Sequence, residues 1–208
     1  MTMENKAKLK LSDLLPIAAL ALITTVITVL LVVMERGMQA DENEISGKLR
    51  EICVELMGEG EFTVADGFFT SGGGRIEKIE LPREINKIIM HDESGAVAFQ
   101  VVVNGYNRNG LNLLIVMNDD GSVKDLAVYI NTETPQIGTK VNERDFLDNF
   151  VGRGEEVRVV RGTSRSDNEV AAITGATRSA RAVADAVNIA IYAYDLMFLG
   201  GGQYEQEH

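Results

Sequence analysis

The stretch LNLLIVMNDDGSVKDLAVYI, residues 111–130, is the part of the chain that decides the fold. Two apolar runs, Leu111–Asn118 and Val123–Ile130, flank the polar tetrapeptide Asp119-Asp120-Gly121-Ser122. A short polar segment with glycine between two such runs is typical of a β-hairpin turn. The pattern therefore predicts two antiparallel strands joined by a tight turn.

The same reasoning extends outward from this hairpin in both directions. It predicts further strands at Arg75–Leu81, Ala96–Asn104 and Glu156–Arg161, and helices at Asp41–Met57, Asn142–Phe150 and within Ser179–Leu199. The glycine run Gly72-Gly73-Gly74 predicts a turn, because it lacks the lysine and the helix of a phosphate-binding P-loop. Hairpin-linked strands with helices at the ends predict an α+β fold built on one antiparallel sheet.

An uncharged segment near the N-terminus predicts a membrane span. Leu14–Met34 contains 21 residues without a charge, enough to cross the roughly 30 Å of a bilayer core. Lys6, Lys8 and Lys10 precede it, so the positive-inside rule places the N-terminus in the cytoplasm and the following domain outside. A cleaved signal peptide is the competing interpretation, but its apolar core is normally shorter, at about 7–15 residues.

The domain organisation follows from this span. We expect a cytoplasmic N-terminus at residues 1–13, a transmembrane helix at 14–34, one extracytoplasmic domain at 35–199 and a disordered tail at 200–208. The resulting protein would be a single-pass protein of the cell membrane.

Composition excludes several classes of function. The net charge of −11 makes nucleic acid an unlikely partner, because phosphate backbones are repelled by an acidic surface. Cys53 is the only cysteine, so the chain can form neither an internal disulfide nor its own iron–sulfur cluster. With only His91 and His208, no zinc-type spacing exists, and we predict no metal site.

The tetrapeptide Thr174-Gly175-Ala176-Thr177 directly precedes the last predicted helix. A helix N-terminus has unpaired N–H groups and a partial positive charge, so it readily holds a phosphate, and Thr177 would present its hydroxyl there. Arg178 or Arg181 would offset the phosphate charge. The plainer alternative is that Thr177 is simply an N-cap.

Two glycine-containing loops are further candidates. In the loop Thr132–Lys140, Pro135 stiffens the backbone and Gly138 allows a close approach, so the loop could cover a planar ligand. An ordinary strand-to-helix connection explains the same residues. In the turn Gly105–Gly110, Tyr106 is either a stacking ring or a half-buried aromatic.

Taken in order, these segments resemble a known family. A basic N-terminus, one span, a Gly-Tyr turn, a Glu-Thr-Pro-x-x-Gly loop and a Thr-Gly-Ala-Thr motif are similar to those of the G subunit of the Rnf electron-transport complex. The C subunit of the sodium-pumping NADH:quinone reductase shares the same FMN-binding domain. The resemblance implies that residues 35–199 bind FMN, which is joined through its phosphate to Thr177 as a phosphoester. The candidate cofactor-binding residues are Thr177, Thr174, Gly175, Ala176, Glu133, Thr134, Pro135, Gly138, Tyr106 and Arg178.

The resemblance also implies a role and partners. The chain would carry electrons between reduced ferredoxin and NAD within an ion-pumping complex, together with the other subunits, after a flavin transferase has attached the FMN. No side chain is then required as a catalytic acid, base or nucleophile, because the flavin performs the chemistry. Ala171 stands where the family usually has an acid, and Asn107 and Arg108 stand where it usually has glycine. The alternatives are a membrane-anchored scaffold subunit without a redox cofactor and the C subunit of a sodium-pumping quinone reductase.

Overall fold

The computed structural model describes residues 24–29, 45, 47–65, 69–72 and 75–199, with the backbone alone for 69–72 and 75–78. The chain divides into two units, residues 1–44 and 45–208. In the first unit, residues 24–29 are helical, and the Thr28 hydroxyl donates to the Thr24 carbonyl at 2.8 Å. The rest of the predicted span at 14–34, and the predicted segments 1–13 and 200–208, lie outside the described residues.

A five-stranded antiparallel sheet forms the centre of the second unit, as the sequence predicts. The strands of the described residues are β1 Phe62–Val64, β2 Phe69–Gly72, β3 Arg75–Lys78, β4 Ile85–His91, β5 Val97–Val103, β6 Leu111–Met117, β7 Val123–Asn131, β8 Arg158–Val160 and β9 Glu169–Ala171. The order within the main sheet is β1-β4-β5-β6-β7, with every neighbour antiparallel. Separately, β2 and β3 form an antiparallel pair and β8 and β9 a parallel one.

The predicted hairpin at residues 111–130 is confirmed. Strands β6 and β7 pair from Leu111 opposite Asn131 to Met117 opposite Val123. Gly121 adopts a φ of +82°, which favours glycine, and the Asp120 carboxylate accepts the Ser122 N–H at 2.9 Å. The conformation of Gly121 and the bond between Asp120 and Ser122 therefore stabilise the turn that the sequence predicts.

Among the described residues of the second unit, three α-helices accompany the sheet. They are α1 Gly47–Met57, α2 Arg144–Leu147 and α3 Thr177–Tyr194; α2 lies between the 3₁₀ turns Gly138–Asn142 and Asp148–Phe150, and a π-helical turn, Asp195–Leu199, follows α3. The predicted short helix at 142–150 is therefore broken into an α turn and a 3₁₀ turn. The last helix begins at Thr177, the final residue of the Thr-Gly-Ala-Thr motif, whereas the sequence predicts its start just after that motif.

The two long helices cover opposite faces of the sheet. Helix α3 packs on β5 and β6 through a row of small residues, and α1 packs on β6 and β7. One core contains Phe99, Leu113 and Ala186, whereas the other contains Leu49 and Leu114. Because both faces are covered, β6 is buried along nearly its whole length, which explains its continuous apolar run.

Helix α3, with the turn that follows it, is the one helix of the described residues that is long and apolar enough to cross a membrane. Its small side chains, such as Ala180, Ala186 and Ala190, are buried in the core against the sheet. The buried core helix of a soluble protein meets the same criteria of length and composition. Helix α3 therefore gives no information on the membrane span predicted at residues 14–34.

Several strands were not predicted. Strand β4, Ile85–His91, mixes polar and apolar residues without alternation, so its sequence carries no period-two signal. Strands β1 and β9 have only three residues each, too few for periodicity to identify. The small pair of β8 and β9 is also parallel, which differs from the predicted all-antiparallel arrangement.

Candidate functional site

Two loops meet at one edge of the main sheet. Strand β5 ends at Val103, β6 begins at Leu111 and β7 ends at Asn131, and antiparallel pairing brings these three points to the same edge. The turn Gly105–Gly110 and the loop Thr132–Thr139 therefore lie side by side. The Thr132 N–H bonds the Gly110 carbonyl at 2.8 Å and so joins them.

Glu133 lies at the centre of this meeting point. Only 3% of its surface is exposed. One carboxylate oxygen accepts the Asn107 N–H at 2.9 Å, and the other accepts the Tyr106 N–H at 2.8 Å and the Ser179 hydroxyl at 2.5 Å. One buried side chain therefore links the turn, the loop and the first turn of α3.

The electrostatics of Glu133 favour its charged form. Burial alone would raise the pKa of this carboxyl. The hydrogen bonds from Ser179, Asn107 and Tyr106, together with the charge of Arg178, outweigh burial and hold the pKa below its ordinary value. Glu133 is therefore an anion at neutral pH.

Three glycines make room for this carboxylate. A Cβ on Gly105 would lie 2.6 Å from a Glu133 oxygen, and one on Gly110 would lie 2.5 Å from the same oxygen. A Cβ on Gly138 would lie 2.6 Å from the Glu133 Cβ and 3.1 Å from the Ser179 Oγ. No larger residue fits at these positions without movement of Glu133 or of the backbone.

The N-terminus of α3 offers hydrogen-bond donors. The helix begins at Thr177, and its N-cap is Ala176, which makes no side-chain bond. Thr177 is therefore not the N-cap, contrary to the plainer alternative from the sequence. Within the described part of the chain, the N–H groups of Thr177, Arg178 and Ser179 have no acceptor, as in the first turn of most helices.

The hydroxyl that the sequence singled out is available at this helix end. Thr177 is half-buried, and its Oγ makes no hydrogen bond to a described residue, whereas Thr174 is exposed. Gly175 between them has a φ of +84°, a conformation that side-chain-bearing residues rarely adopt. Arg178 is exposed beside them. Free amides, a free hydroxyl and a nearby cation are a donor set that fits a phosphate.

The Glu-Thr-Pro loop folds as a tight turn next to this helix end. The Thr134 carbonyl accepts the N–H groups of Ile137 at 3.2 Å and Gly138 at 2.9 Å. Gln136 has a φ of +60°, and its N–H bonds the Thr139 hydroxyl at 2.9 Å. Thr134 and Pro135 are exposed, whereas Gly138 is buried and faces Glu133.

Tyr106 projects from the neighbouring turn. Its side chain is 69% exposed, although its backbone N–H is fixed by Glu133. The Asn109 N–H bonds the Asn104 side chain at 2.7 Å and closes the turn. The half-buried environment considered for this tyrosine is therefore wrong, since the ring lies at the surface.

A cleft of about 530 Å³ borders the same turn. Asn104, Arg108 and Asn109 line it on one side, and Asp185 and Ile189 of α3 on the other. Its volume lies within the roughly 300–1,000 Å³ typical of ligand pockets, but it is open and polar.

The structure thus brings the ten candidate residues to one edge of the sheet, with different orientations. Glu133 and Gly138 face inward, Ala176 is buried, Thr177 is half-buried, and the others are exposed: Thr174, Gly175, Thr134, Pro135, Tyr106 and Arg178. Sequence reasoning missed Ser179 and the amide of Asn107. Ser179 carried a usable signal, because it is a polar residue on the buried face of an otherwise apolar helix.

Metal ligands are not grouped in the described part of the chain. No cluster of three histidine, cysteine, aspartate or glutamate side chains there could hold a metal ion. His91 is a buried, satisfied histidine: its Nδ1 accepts the Ser94 N–H at 3.0 Å, so its Nε2 donates to the Glu59 carbonyl at 3.1 Å.

Comparison with known proteins agrees with this geometry. Residues 105–192 match the FMN-binding domain family, a region that begins at the Gly105–Gly110 turn and includes the loop and the start of α3. This part of the chain is similar to FMN-binding domains. The matched region contains all the candidate cofactor-binding residues.

Two relatives belong to larger complexes. The chain is 30% identical over 122 residues to the G subunit of the Na⁺-translocating ferredoxin:NAD⁺ oxidoreductase complex of Acetobacterium woodii, covering 56% of this chain and 58% of that protein. It is 21% identical over 171 residues to the G subunit of the proton-translocating ferredoxin:NAD⁺ oxidoreductase complex of Clostridium ljungdahlii, covering 73% and 92%. The chain is thus similar to these G subunits, and its match spans a little over half of the first one.

Two solved structures are also similar. NqrC of Shewanella oneidensis aligns with a TM-score of 0.47 at 21% identity, over 58% of this chain and 67% of that one. The C subunit of the Na⁺-translocating NADH-quinone reductase of Parabacteroides distasonis aligns with a TM-score of 0.48 at 19% identity, over 76% and 85%.

Proposed function

We propose that this chain is the flavin-carrying subunit of an Rnf-type, ion-translocating ferredoxin:NAD oxidoreductase complex, with FMN bound through a phosphoester to Thr177. The two relatives named above are G subunits of ferredoxin:NAD⁺ oxidoreductase complexes, which supports this assignment. The relatives differ in the ion they translocate, so the pumped ion is left open.

The start of α3 is the observation that carries the proposal. It combines the unpaired amides of Thr177, Arg178 and Ser179 with a free Thr177 hydroxyl, inside the region that matches the FMN-binding domain family. The helix dipole and Arg178 would stabilise the single negative charge of the phosphodiester formed between the flavin and Thr177. Thr174 is exposed on the other side of Gly175 and lies outside the helix.

Attachment requires an activated flavin donor. Forming the phosphoester replaces the hydroxyl proton of Thr177 with the flavin phosphorus, and a leaving group departs from that phosphorus together with the proton. A flavin nucleotide with a second phosphate attached there meets this requirement, and a flavin transferase would catalyse the exchange. The resulting tether prevents loss of the cofactor by dissociation.

When bound, FMN supplies the electron-transfer chemistry, and the chain binds and orients it. Thr134 and Pro135 of the loop and Tyr106 of the turn are exposed beside the start of α3 and are proposed to contact the flavin. Gly175 and Ala176 shape the backbone that leads into the helix. No residue of the chain is proposed as a catalytic acid or base.

The membrane arrangement is part of the same proposal. Residues 14–34 would anchor the chain, with 1–13 in the cytoplasm and the flavin domain outside. A membrane-impermeant thiol reagent should label a cysteine engineered at His208 in intact cells stripped of any outer barrier. Labelling only after lysis would place the domain in the cytoplasm.

The attachment site is tested with two threonine variants. Thr177→Val keeps the side-chain shape and removes an oxygen that bonds no described residue, so stability should change by less than about 0.5 kcal/mol. Produced with the transferase, it should lose the flavin fluorescence that wild-type protein shows on a denaturing gel. Thr174→Val is the matched control and should keep it. Fluorescence retained by Thr177→Val would show that another residue carries the flavin.

A scaffold role without flavin is the second candidate. Ala171 favours it, because this exposed residue at the end of β9 stands where the family usually has an acid. If the transferase needs that acid, wild-type protein should be colourless and Ala171→Asp should become yellow. A yellow wild-type protein would eliminate this candidate.

A further inference from the structure

Glu133 is unusual among the candidate residues, because its carboxylate is directed away from the surface. Both oxygens are occupied by donors of the protein: the N–H groups of Tyr106 and Asn107 and the hydroxyl of Ser179. The side chain is buried. It therefore lacks the exposure expected of a direct cofactor ligand.

Burial of a carboxylate is costly unless hydrogen bonds compensate for it, so its presence calls for a physical reason. The donors come from segments far apart in the sequence, 26 to 46 residues from Glu133. Gly105, Gly110 and Gly138 each lack the Cβ that would collide with Glu133 or its carboxylate. The surrounding backbone is thus fitted to this one side chain on three sides.

The hydrogen bonds of Glu133 fix the positions of three segments relative to one another. The turn with Tyr106 and the loop with Thr134 are already joined by the bond from the Thr132 N–H to the Gly110 carbonyl. The bond from the Ser179 hydroxyl to Glu133 links them to the first turn of α3. Glu133 belongs to the loop and bonds both of the others. The exposed residues of these three segments form the surface beside the Thr177 hydroxyl.

We propose that Glu133 is a positioning residue that holds the Tyr106 turn and the Glu-Thr-Pro loop against the start of α3, and so fixes the orientation of the flavin without contacting it. This inference rests on the proposed attachment of FMN at Thr177. Loss of the Glu133 carboxylate should loosen the Tyr106 turn and free the flavin ring, while the phosphoester at Thr177 stays intact.

The isosteric variant Glu133→Gln tests the first step. A glutamine has one acceptor oxygen and one NH₂ group, so at least one of the Tyr106 and Asn107 amides would face a donor instead of an acceptor. Hydrogen exchange of a peptide covering residues 104–110, measured in the full-length protein, should become about tenfold faster, the factor expected for one lost hydrogen bond. Glu143→Gln, an exposed glutamate at the N-cap of α2 without a side-chain bond, is the control and should not change it.

The second step is read from the bound flavin. Intact mass should show that Glu133→Gln still carries FMN, because Thr177 is unchanged. The visible circular dichroism of the flavin, which reports how firmly the ring is held, should be largely lost in Glu133→Gln and retained in Glu143→Gln. Faster exchange with unchanged dichroism would reduce Glu133 to a structural role and overturn the proposal.

Ser179→Ala keeps the inference testable if Glu133→Gln does not fold. It removes one donor and leaves the other two, so exchange across residues 132–139 should accelerate and the dichroism should fall by a smaller amount. Unchanged exchange and dichroism in Ser179→Ala would contradict the positioning role. Wild-type protein without FMN would instead refute the proposed function on which the inference rests.

Discussion

The central sheet buries polar groups at two places, at the edge next to α3 and on the face covered by α1. The two places differ in how many of these groups have hydrogen-bond partners. At the edge next to α3, the Glu133 carboxylate receives three hydrogen bonds. On the α1 face, the buried Gln100 donates to the Tyr129 hydroxyl, while its own Oε1 has no partner among the described residues. The Asn112 Oδ1 on the same face is likewise without one.

The difference shows in which part of the molecule directed contacts fix the positions of the backbone segments. A carboxylate enclosed by donors from distant segments and by three glycines determines the position of each segment. The polar pair on the α1 face has no such enclosure and lies among apolar residues and Cys53, where burial raises the pKa of the thiol to about 11. We infer that the α1 face serves as a hydrophobic core, whereas the segments around Glu133 are positioned for a binding site.

Removal of the Glu133 side chain should give the largest effect. Glu133→Ala leaves two part-buried amides and the buried Ser179 hydroxyl without an acceptor, so the free energy of unfolding should fall by about 3 kcal/mol. Urea denaturation of the full-length protein measures it. Glu143→Ala, at an exposed position, should change stability by less than about 0.5 kcal/mol. Equal effects in the two variants would mean that Glu133 is not the centre of the site.

Filling the space beside Glu133 should have the next largest effect. In Gly138→Ala the new Cβ would lie 2.6 Å from the Glu133 Cβ, so the loop must move, at a cost of about 2 kcal/mol. Gly154→Ala is the matched control, because its Cβ would make only an ordinary contact at 3.5 Å with Ser122. Thermal denaturation that ranks the two variants in the opposite order would refute the close fit around Glu133.

Acid should remove part of the same stabilisation. The pKa of Glu133 lies below its ordinary value of 4.5, because the hydrogen bonds and Arg178 together outweigh burial. A lowered pKa in the folded state stabilises the fold above the unfolded value, and this is lost as pH falls through the folded value. The difference in unfolding free energy between wild type and Glu133→Gln should therefore be constant at neutral pH and shrink below about pH 4.5. A difference that grows in acid would contradict this assignment.

The α1 face should respond least. Gln100→Leu leaves the Tyr129 hydroxyl without its partner and should cost about 1 kcal/mol. The double variant with Tyr129→Phe removes both polar groups and should return close to wild-type stability. A double variant that is destabilised as strongly as Glu133→Ala would place a functional polar site on this face as well.

The sequence predicted the fold where the signal is local. The hairpin of β6 and β7 follows from two apolar runs and an Asp-Gly turn, and the last helix follows from a long stretch without glycine or proline. Strand β4, strand β9 and the parallel pairing of β9 with the predicted strand β8 were missed, because they are defined by pairing with distant residues.

The sequence identifies the residues of the candidate site, but not the directions in which their side chains point. The motif around Thr177 and the Glu-Thr-Pro loop can be identified from residue types in order. The inward direction of Glu133 cannot, since its partners Tyr106 and Ser179 lie 27 and 46 residues away. Three separated glycines become interpretable only when all three are found against the same carboxylate.

The most direct test of the account is the position of the flavin on the chain. Trypsin should release a peptide from Ser166 to Arg178 that contains both Thr174 and Thr177. For wild-type protein produced with its transferase, fragmentation by mass spectrometry should place one FMN phosphoester on Thr177 and leave Thr174 unmodified. An unmodified peptide, or flavin on Thr174, would contradict the proposed electron-carrying site at the start of α3.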